Sequence, residues 1–296
     1  MHAVPRDAAG RTMHLGVAAG DVAARILSVG DEARAARIAV LLSPPAGAAA
    51  VRVTRSSRGF TTYLGVFRGV DISIVVTGMG CAMMDFVVRE TRAVVEGPMA
   101  IVRLGTCGAL DAALEPGSVA LVSGSVLVRR CPDAAAARAR GAADAPALTL
   151  AEDGGAPSLA PTAALPYAVS GVVRPSAALT AAVRDALKGD VRGGARPALD
   201  ATADSFYASQ GRASGLPDRN EALLPALAAA GVGCLQMESF HLLDMARASG
   251  GALAAAAAHI VVFNRATTAA ATPAEVAARE AAAGRAVLSA LAAYAL

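Results

Sequence analysis

The sequence predicts an α/β protein: a single domain over residues 1–296, with a central mixed twisted β-sheet flanked by helices on both faces. Short apolar runs of strand length alternate with longer segments of helical period, which favours a covered sheet over a helix bundle. The chain has 296 residues, 55% hydrophobic and 17% charged, enough for one large core.

Strands are expected at residues 25–29, 51–55, 61–67, 72–77, 100–104 and 119–123, then at 197–203 and 255–263. Helices fit between and after them at 32–41, 82–95, 176–187, 221–229, 238–248 and 273–294. Pro44-Pro45 and Glu115-Pro116-Gly117 punctuate these elements as turns. Two stretches, 131–166 and 188–196, are rich in Ala, Gly, Pro and Asp without a period, and read as surface insertions.

Several function classes are disfavoured by composition. A net charge of +3 with a pI near 8.9 is no basic footprint for a nucleic-acid backbone, and 3% aromatic residues without Trp leave little to stack on bases in series. An anionic small molecule suits this balance better. Residues 1–11 lack the apolar core of an export signal, so a cytoplasmic protein is expected. The apolar run 252–263 is too short for a bilayer and contains His259. Cys81, Cys107, Cys131 and Cys234 are widely spaced, with no C-x-x-C pair or companion His, so reduced thiols and no metal site are expected.

Chemistry concentrates in a few segments. In Ser28-Val29-Gly30-Asp31-Glu32-Ala33-Arg34 a strand ends in Gly and enters a helix with an Arg in its first turn, which suits an oxyanion; alone, it reads rather as an ordinary strand-to-helix turn with a solvated Arg. Ile101 to Ala109 is an apolar strand carrying Arg103 and opening into Gly105-Thr106-Cys107-Gly108. A guanidinium in such a strand needs an anion, and a bound phosphate or a buried carboxylate would serve equally. Arg55 to Tyr63, with Arg58, reads by itself as an exposed hairpin, and Thr77-Gly78-Met79-Gly80 as a tight turn that lets backbone pass near a ligand.

Asp204 to Arg212 gathers Phe206, Tyr207, Gln210 and Arg212 in one short loop. A flat heterocycle with an amide edge needs such a ring, amide and cation, although singly Phe206 reads as core and Arg212 as surface. Glu238, in Gln236-Met237-Glu238-Ser239, is either a helix-start residue favoured by the dipole or a carboxylate placed for paired sugar hydroxyls. Asn264-Arg265 closes the last apolar strand, at the strand end where open α/β sheets collect ligands.

In order, these segments resemble the nucleoside phosphorylase family and its uridine-cleaving branch, from His14 to the C-terminus outside the two insertions. The resemblance implies phosphate binding by Gly30, Arg34, Arg103 and Thr106, with Arg58 arriving from a neighbouring subunit. It assigns the base to Phe206, Gln210, Arg212 and Arg265, and the ribose to Met237, Glu238 and a neighbour's His14. Phe-Tyr-x-x-Gln-x-Arg is the most specific match; purine members usually carry Ser-Asp where this chain has Asn264-Arg265. Gly59 stands where many bacterial members have a cation-binding Glu, so no structural cation is expected; Cys107 replaces a second Thr and Gln236 a Glu, which implies one hydrogen bond fewer to phosphate and to ribose.

The implied reaction turns uridine and phosphate into uracil and ribose 1-phosphate, with Arg103, Thr106, Gln210, Arg212 and Arg265 as the catalytic set and no resident cofactor. A homo-oligomer, at least a dimer with shared sites, is implied, with no nucleic-acid or membrane partner. The competing readings are a purine nucleoside phosphorylase or nucleosidase, and a non-catalytic nucleoside-binding relative.

Overall fold

The structure is a computed structural model and describes residues 4–132, 148–152, 158–162, 165–191 and 194–296. The first half contributes β1 (Arg25–Val29), α1 (Glu32–Ala39), β2 (Arg52–Arg55), β3 (Thr61–Phe67), β4 (Val70–Val76), α2 (Cys81–Arg92), β5 (Met99–Ala109) and β6 (Val119–Arg130). The second contributes β7 (Tyr167–Val169), α3 (Ala177–Asp190), β8 (Ala195–Ala203), α4 (Leu223–Ala229), β9 (Val232–Gln236), α5 (Ser239–Ala248), β10 (Leu253–Asn264) and α6 (Pro273–Ala293).

The sheet is mixed and closes on itself at one end. The order β2-β3-β4-β1-β5 forms an open wing, in which β1 runs parallel to both β4 and β5. Beyond it, β5 pairs with β10, β10 with β6, β6 with β8, β8 with β9, and β9 returns to the last residues of β5. Those five strands make a small barrel. β5 belongs to both parts, because residues 100–104 pair with β1 while Gly108 and Ala109 pair with Leu235 and Cys234 of β9.

Helices cover both faces, and the alternation along β10 tells them apart. Ala256 and Ala258 face a core with Ile38 of α1, Leu179 of α3 and Val287 of α6, whereas Ala255 and Ala257 face Met84 of α2 and Leu242 of α5. α6 starts on a capping box, in which Thr272 Oγ1 accepts from Glu275 N and Glu275 Oε2 accepts from Thr272 N, with Pro273 opening the first turn.

The expected α/β fold is therefore present, with differences that have physical causes. β5 and β6 run to Ala109 and Arg130 rather than ending near 104 and 123, because Gly105 and Gly124 sit inside the ladders. β7 and β9 were not anticipated: both are short, and β9 follows an Ala-rich helix without alternation. The two segments expected as surface insertions are only partly so. Leu159 and Leu165 are buried against Tyr167 and Leu223, α3 continues to Asp190, and Ala195 already begins β8. Residues 133–147, 153–157, 163–164 and 192–193 of those segments lie outside the described residues. Among the described residues no helix is long and apolar enough to cross a membrane.

Candidate active site

A pocket of about 370 Å³ opens where β1, β5, β9 and β10 end, a size that accommodates a small organic ligand. Its wall at the end of β1 is cationic. Asp31 caps α1 by accepting from Arg34 N at 2.8 Å, which turns the helix start toward the strand end. Arg34 is buried and fixed on three sides: Nε donates to Glu280 Oε1 at 2.8 Å, one terminal nitrogen donates to Leu104 O at 3.2 Å, and the other lies 3.2 Å from Asp31 Oδ2. Arg103 donates to Ser28 Oγ and Gly78 O, both at 3.3 Å. A β-carbon on Gly30 would lie 3.5 Å from a terminal nitrogen of each arginine, so the two guanidiniums converge on the space this glycine leaves open. Thr106 lines the same wall.

Two like charges here are balanced by carboxylates behind and beside them. Burial pushes the Arg103 guanidinium down from its usual range and Arg34 adds to this, while Glu238, 3.1 Å away, holds the proton on. The two readings of Arg103 left open by the sequence thus coincide, since it has a buried carboxylate partner and also faces the pocket.

Glu238 is the residue before α5, yet its side chain does not cap that helix. Oε1 accepts from Gly80 N at 2.6 Å and Oε2 faces Arg103, which leaves the carboxylate at the pocket wall next to Met237. Gly78 and Gly80 both adopt positive φ, at 76° and 96°, and the turn they make delivers that amide. Gln236 fixes the same corner: Oε1 accepts from Glu238 N and Ser239 N, and Nε2 donates to Thr202 Oγ1.

The opposite wall carries Gln210, Arg212 and Arg265. Gln210 is 4% exposed in a short 3-10 turn, and its Oε1 accepts from Arg265 at 3.3 Å. Arg212 stacks on the ring of Phe206, 4.1 Å from its centroid. The Nε atoms of Arg212 and Arg265 are buried without a protein partner, and burial followed by the Arg212 charge pushes the Arg265 guanidinium down. This end is therefore rich in donors and prefers a ligand that gains negative charge. Asn264 points away: its amide donates to Asp111 O and Leu114 O and accepts from Ala266 N and Thr267 N.

Of the residues singled out in the sequence, Gly30, Arg34, Arg103, Thr106, Phe206, Gln210, Arg212, Met237, Glu238 and Arg265 line this one pocket. His14 and Arg58 do not. His14 is half-buried, stacked on Phe86 and held by Glu90 at 2.6 Å through Nδ1, and Arg58 is exposed in the turn between β2 and β3. The sequence reading missed the residues that hold the site from behind, above all Glu280, Ser28 and Thr202. Glu280 had a usable signal, because it lies on the stripe of Ala283, Gly284 and Val287 along α6 and is thus an acid on an apolar face.

The fold belongs to a known protein class. The phosphorylase superfamily model matches residues 24–295, and the chain belongs to that family. A solved uridine phosphorylase structure from the oomycete Phytophthora capsici is similar along nearly the whole length, with 39% identity, a TM-score of 0.85, and coverage of 99% of this chain and 98% of that one. Curated relatives include a DeoD-type purine nucleoside phosphorylase of Geobacillus kaustophilus, 36% identical over 100 residues (34% of this chain, 40% of the relative). They also include a uridine phosphorylase of Thermococcus kodakarensis, 28% identical over 122 residues (41% of each chain). The matches thus span about two-fifths of those curated relatives.

Proposed function

We propose that this chain catalyses the phosphorolysis of uridine to uracil and ribose 1-phosphate. The observation that carries this reading is one pocket lined by two arginine pairs, Arg34 with Arg103 and Arg212 with Arg265, and by the Glu238 carboxylate, which lies 3.1 Å from Arg103. Phosphate occupies the Gly30 wall against Arg34, Arg103 and Thr106. Glu238 accepts hydrogen bonds from the ribose hydroxyls, and uracil lies against Gln210, Arg212 and Arg265 with Phe206 at its side. A phosphate oxygen forms the new bond to the anomeric carbon as the bond from that carbon to uracil N1 breaks, and the electron pair leaves with the base. The donors around the base stabilise the resulting anion, at about 3 kcal/mol for each well-placed contact. The attacking atom is a phosphate oxygen and no side chain acts as nucleophile; burial, with Glu238 nearby, pushes the Cys81 thiol up to about 12, so Cys81 offers no thiolate.

The proposal includes a cytoplasmic enzyme of pyrimidine salvage that works as a homo-oligomer, at least a dimer, with His14 and Arg58 serving the neighbouring subunit's site. Phosphate is the co-substrate and no resident cofactor takes part. A purine reading has support from the purine phosphorylases among the relatives, but Arg265 stands where such enzymes usually carry the Asp of Ser-Asp and fills the wall, while Asn264 turns its amide into the loop. The test is product formation from uridine, inosine and adenosine with and without phosphate. Uracil release that requires phosphate is expected; rapid inosine cleavage with inert uridine would overturn the assignment.

A further inference from the structure

Behind the pocket, inside the barrel, lies a polar cluster to which the proposed chemistry gives no task. Asp200 on β8, Ser239 at the start of α5 and His259 on β10 are all fully buried. His259 Nε2 lies 2.8 Å from Ser239 Oγ and 3.3 Å from Asp200 Oδ2. Neither Asp200 oxygen has any other partner, so this ionisable side chain depends on the imidazole alone. The second ring nitrogen of His259, Nδ1, lies on the other side of the ring from Nε2.

On that other side stands the phosphate strand. His259 is in register with Gly105 of β5, and a β-carbon on Gly105 would lie 2.7 Å from His259 Nδ1 and 3.5 Å from Arg103 Nε. Both nitrogens are buried and lack a hydrogen-bond partner, and both face the same point. The absent side chain of Gly105 is what allows the imidazole to stand directly behind the guanidinium that meets phosphate. Through Nε2 the same ring holds the hydroxyl of Ser239, the residue next to Glu238.

We propose that His259, oriented by Asp200 and Ser239, is a positioning residue that couples the phosphate half of the site to the ribose half. It stands behind Arg103 across the space that Gly105 leaves open, without bonding it, and through Ser239 it holds the helix start that presents Glu238. A buried ionisable pair rarely adds stability over apolar residues of similar volume, which is why a positional task accounts for this one in an otherwise apolar strand.

The inference rests on the phosphorolysis reading, and the experiment separates the two. Wild type, the double variant His259→Leu/Asp200→Val and the single variant Ser239→Ala are compared for melting temperature and for KM and kcat toward uridine and phosphate. The double variant, with no buried charge left alone, is expected to melt near the wild-type temperature while its KM for both substrates rises about tenfold. Ser239→Ala is expected to raise KM for uridine several-fold and to leave KM for phosphate unchanged, and it remains a test should the double variant fail to fold. An active wild type whose folded variants keep both KM values overturns the positioning role alone, as does a fall in melting temperature with unchanged kinetics. A wild type inert toward nucleosides overturns the phosphorolysis reading and the inference with it.

Discussion

At the scale of single residues, Arg103 illustrates how a charge can be buried and still be available to a ligand. Glu238 faces one terminal nitrogen at 3.1 Å, Ser28 and Gly78 supply acceptors, and the pocket takes the rest. Arg103→Ala should therefore damage two properties. It removes the proposed phosphate contact and leaves Glu238 buried without its cation, so a stability loss of about 3–5 kcal/mol by denaturant melt should accompany the higher KM for phosphate. Gly30→Ala separates these effects, because its β-carbon would meet both guanidiniums at an ordinary 3.5 Å and fill the space between them. The expected outcome is a melting temperature near wild type with at least a tenfold rise in KM for phosphate; an unchanged KM would mean that phosphate binds elsewhere. Arg212→Ala acts at the other wall, where the proposed partner is the leaving base, and should lower kcat by about two to three orders of magnitude with little change in KM for phosphate.

Secondary-structure elements decide how these side chains are held, and here the sequence was only partly legible. Glycine explains much of the difference. Gly105 and Gly108 look like turn residues, yet both lie inside β5, where a side chain at 105 would press on His259 and one at 108 would only touch Arg265. The motifs with distinctive residue types were readable because each sits at a strand end whose chemistry is local: Gly30 with Arg34, Gln210 with Arg212, Met237 with Glu238. What long-range packing supplies was not, since neither the return of β9 to β5 nor the partnership of Arg34 with a residue 246 positions later leaves a local pattern. That partnership makes α6 part of the site. Glu280 is 3% exposed and bonds both Arg34 and Arg37, and Gly284 one turn on would strike Ile38 of α1 if it bore a β-carbon. Glu280→Ala should cost about 3–5 kcal/mol of stability, whereas Glu280→Gln, which keeps an acceptor for Arg34, should lose clearly less. Equal losses would place the value of Glu280 in its volume rather than its charge.

At the scale of the whole molecule, the pocket collects residues from the open wing, the barrel and the loop after β8, but receives nothing from His14 or Arg58. Both are held on the outside. Glu90 accepts from the backbone N of His14 and Leu15 and from His14 Nδ1, which fixes the imidazole against Phe86, and Arg58 sits exposed in its turn. If these two residues complete a neighbour's site, a symmetric dimer holds two sites, each built from both chains. Arg58→Ala would then damage only the partner's pocket and Arg212→Ala only its own. In a mixed dimer one pocket carries both lesions and the other carries neither. Random exchange of equal amounts makes about half of the dimers mixed, with one intact site in each, so activity should return to about a quarter of wild type from two nearly inactive parents. The measurement is uracil release after the two variants are mixed under conditions in which exchange of labelled subunits is seen. Verified exchange without recovered activity, or a fully active monomer, would rule out the shared site and confine catalysis to the residues of one chain.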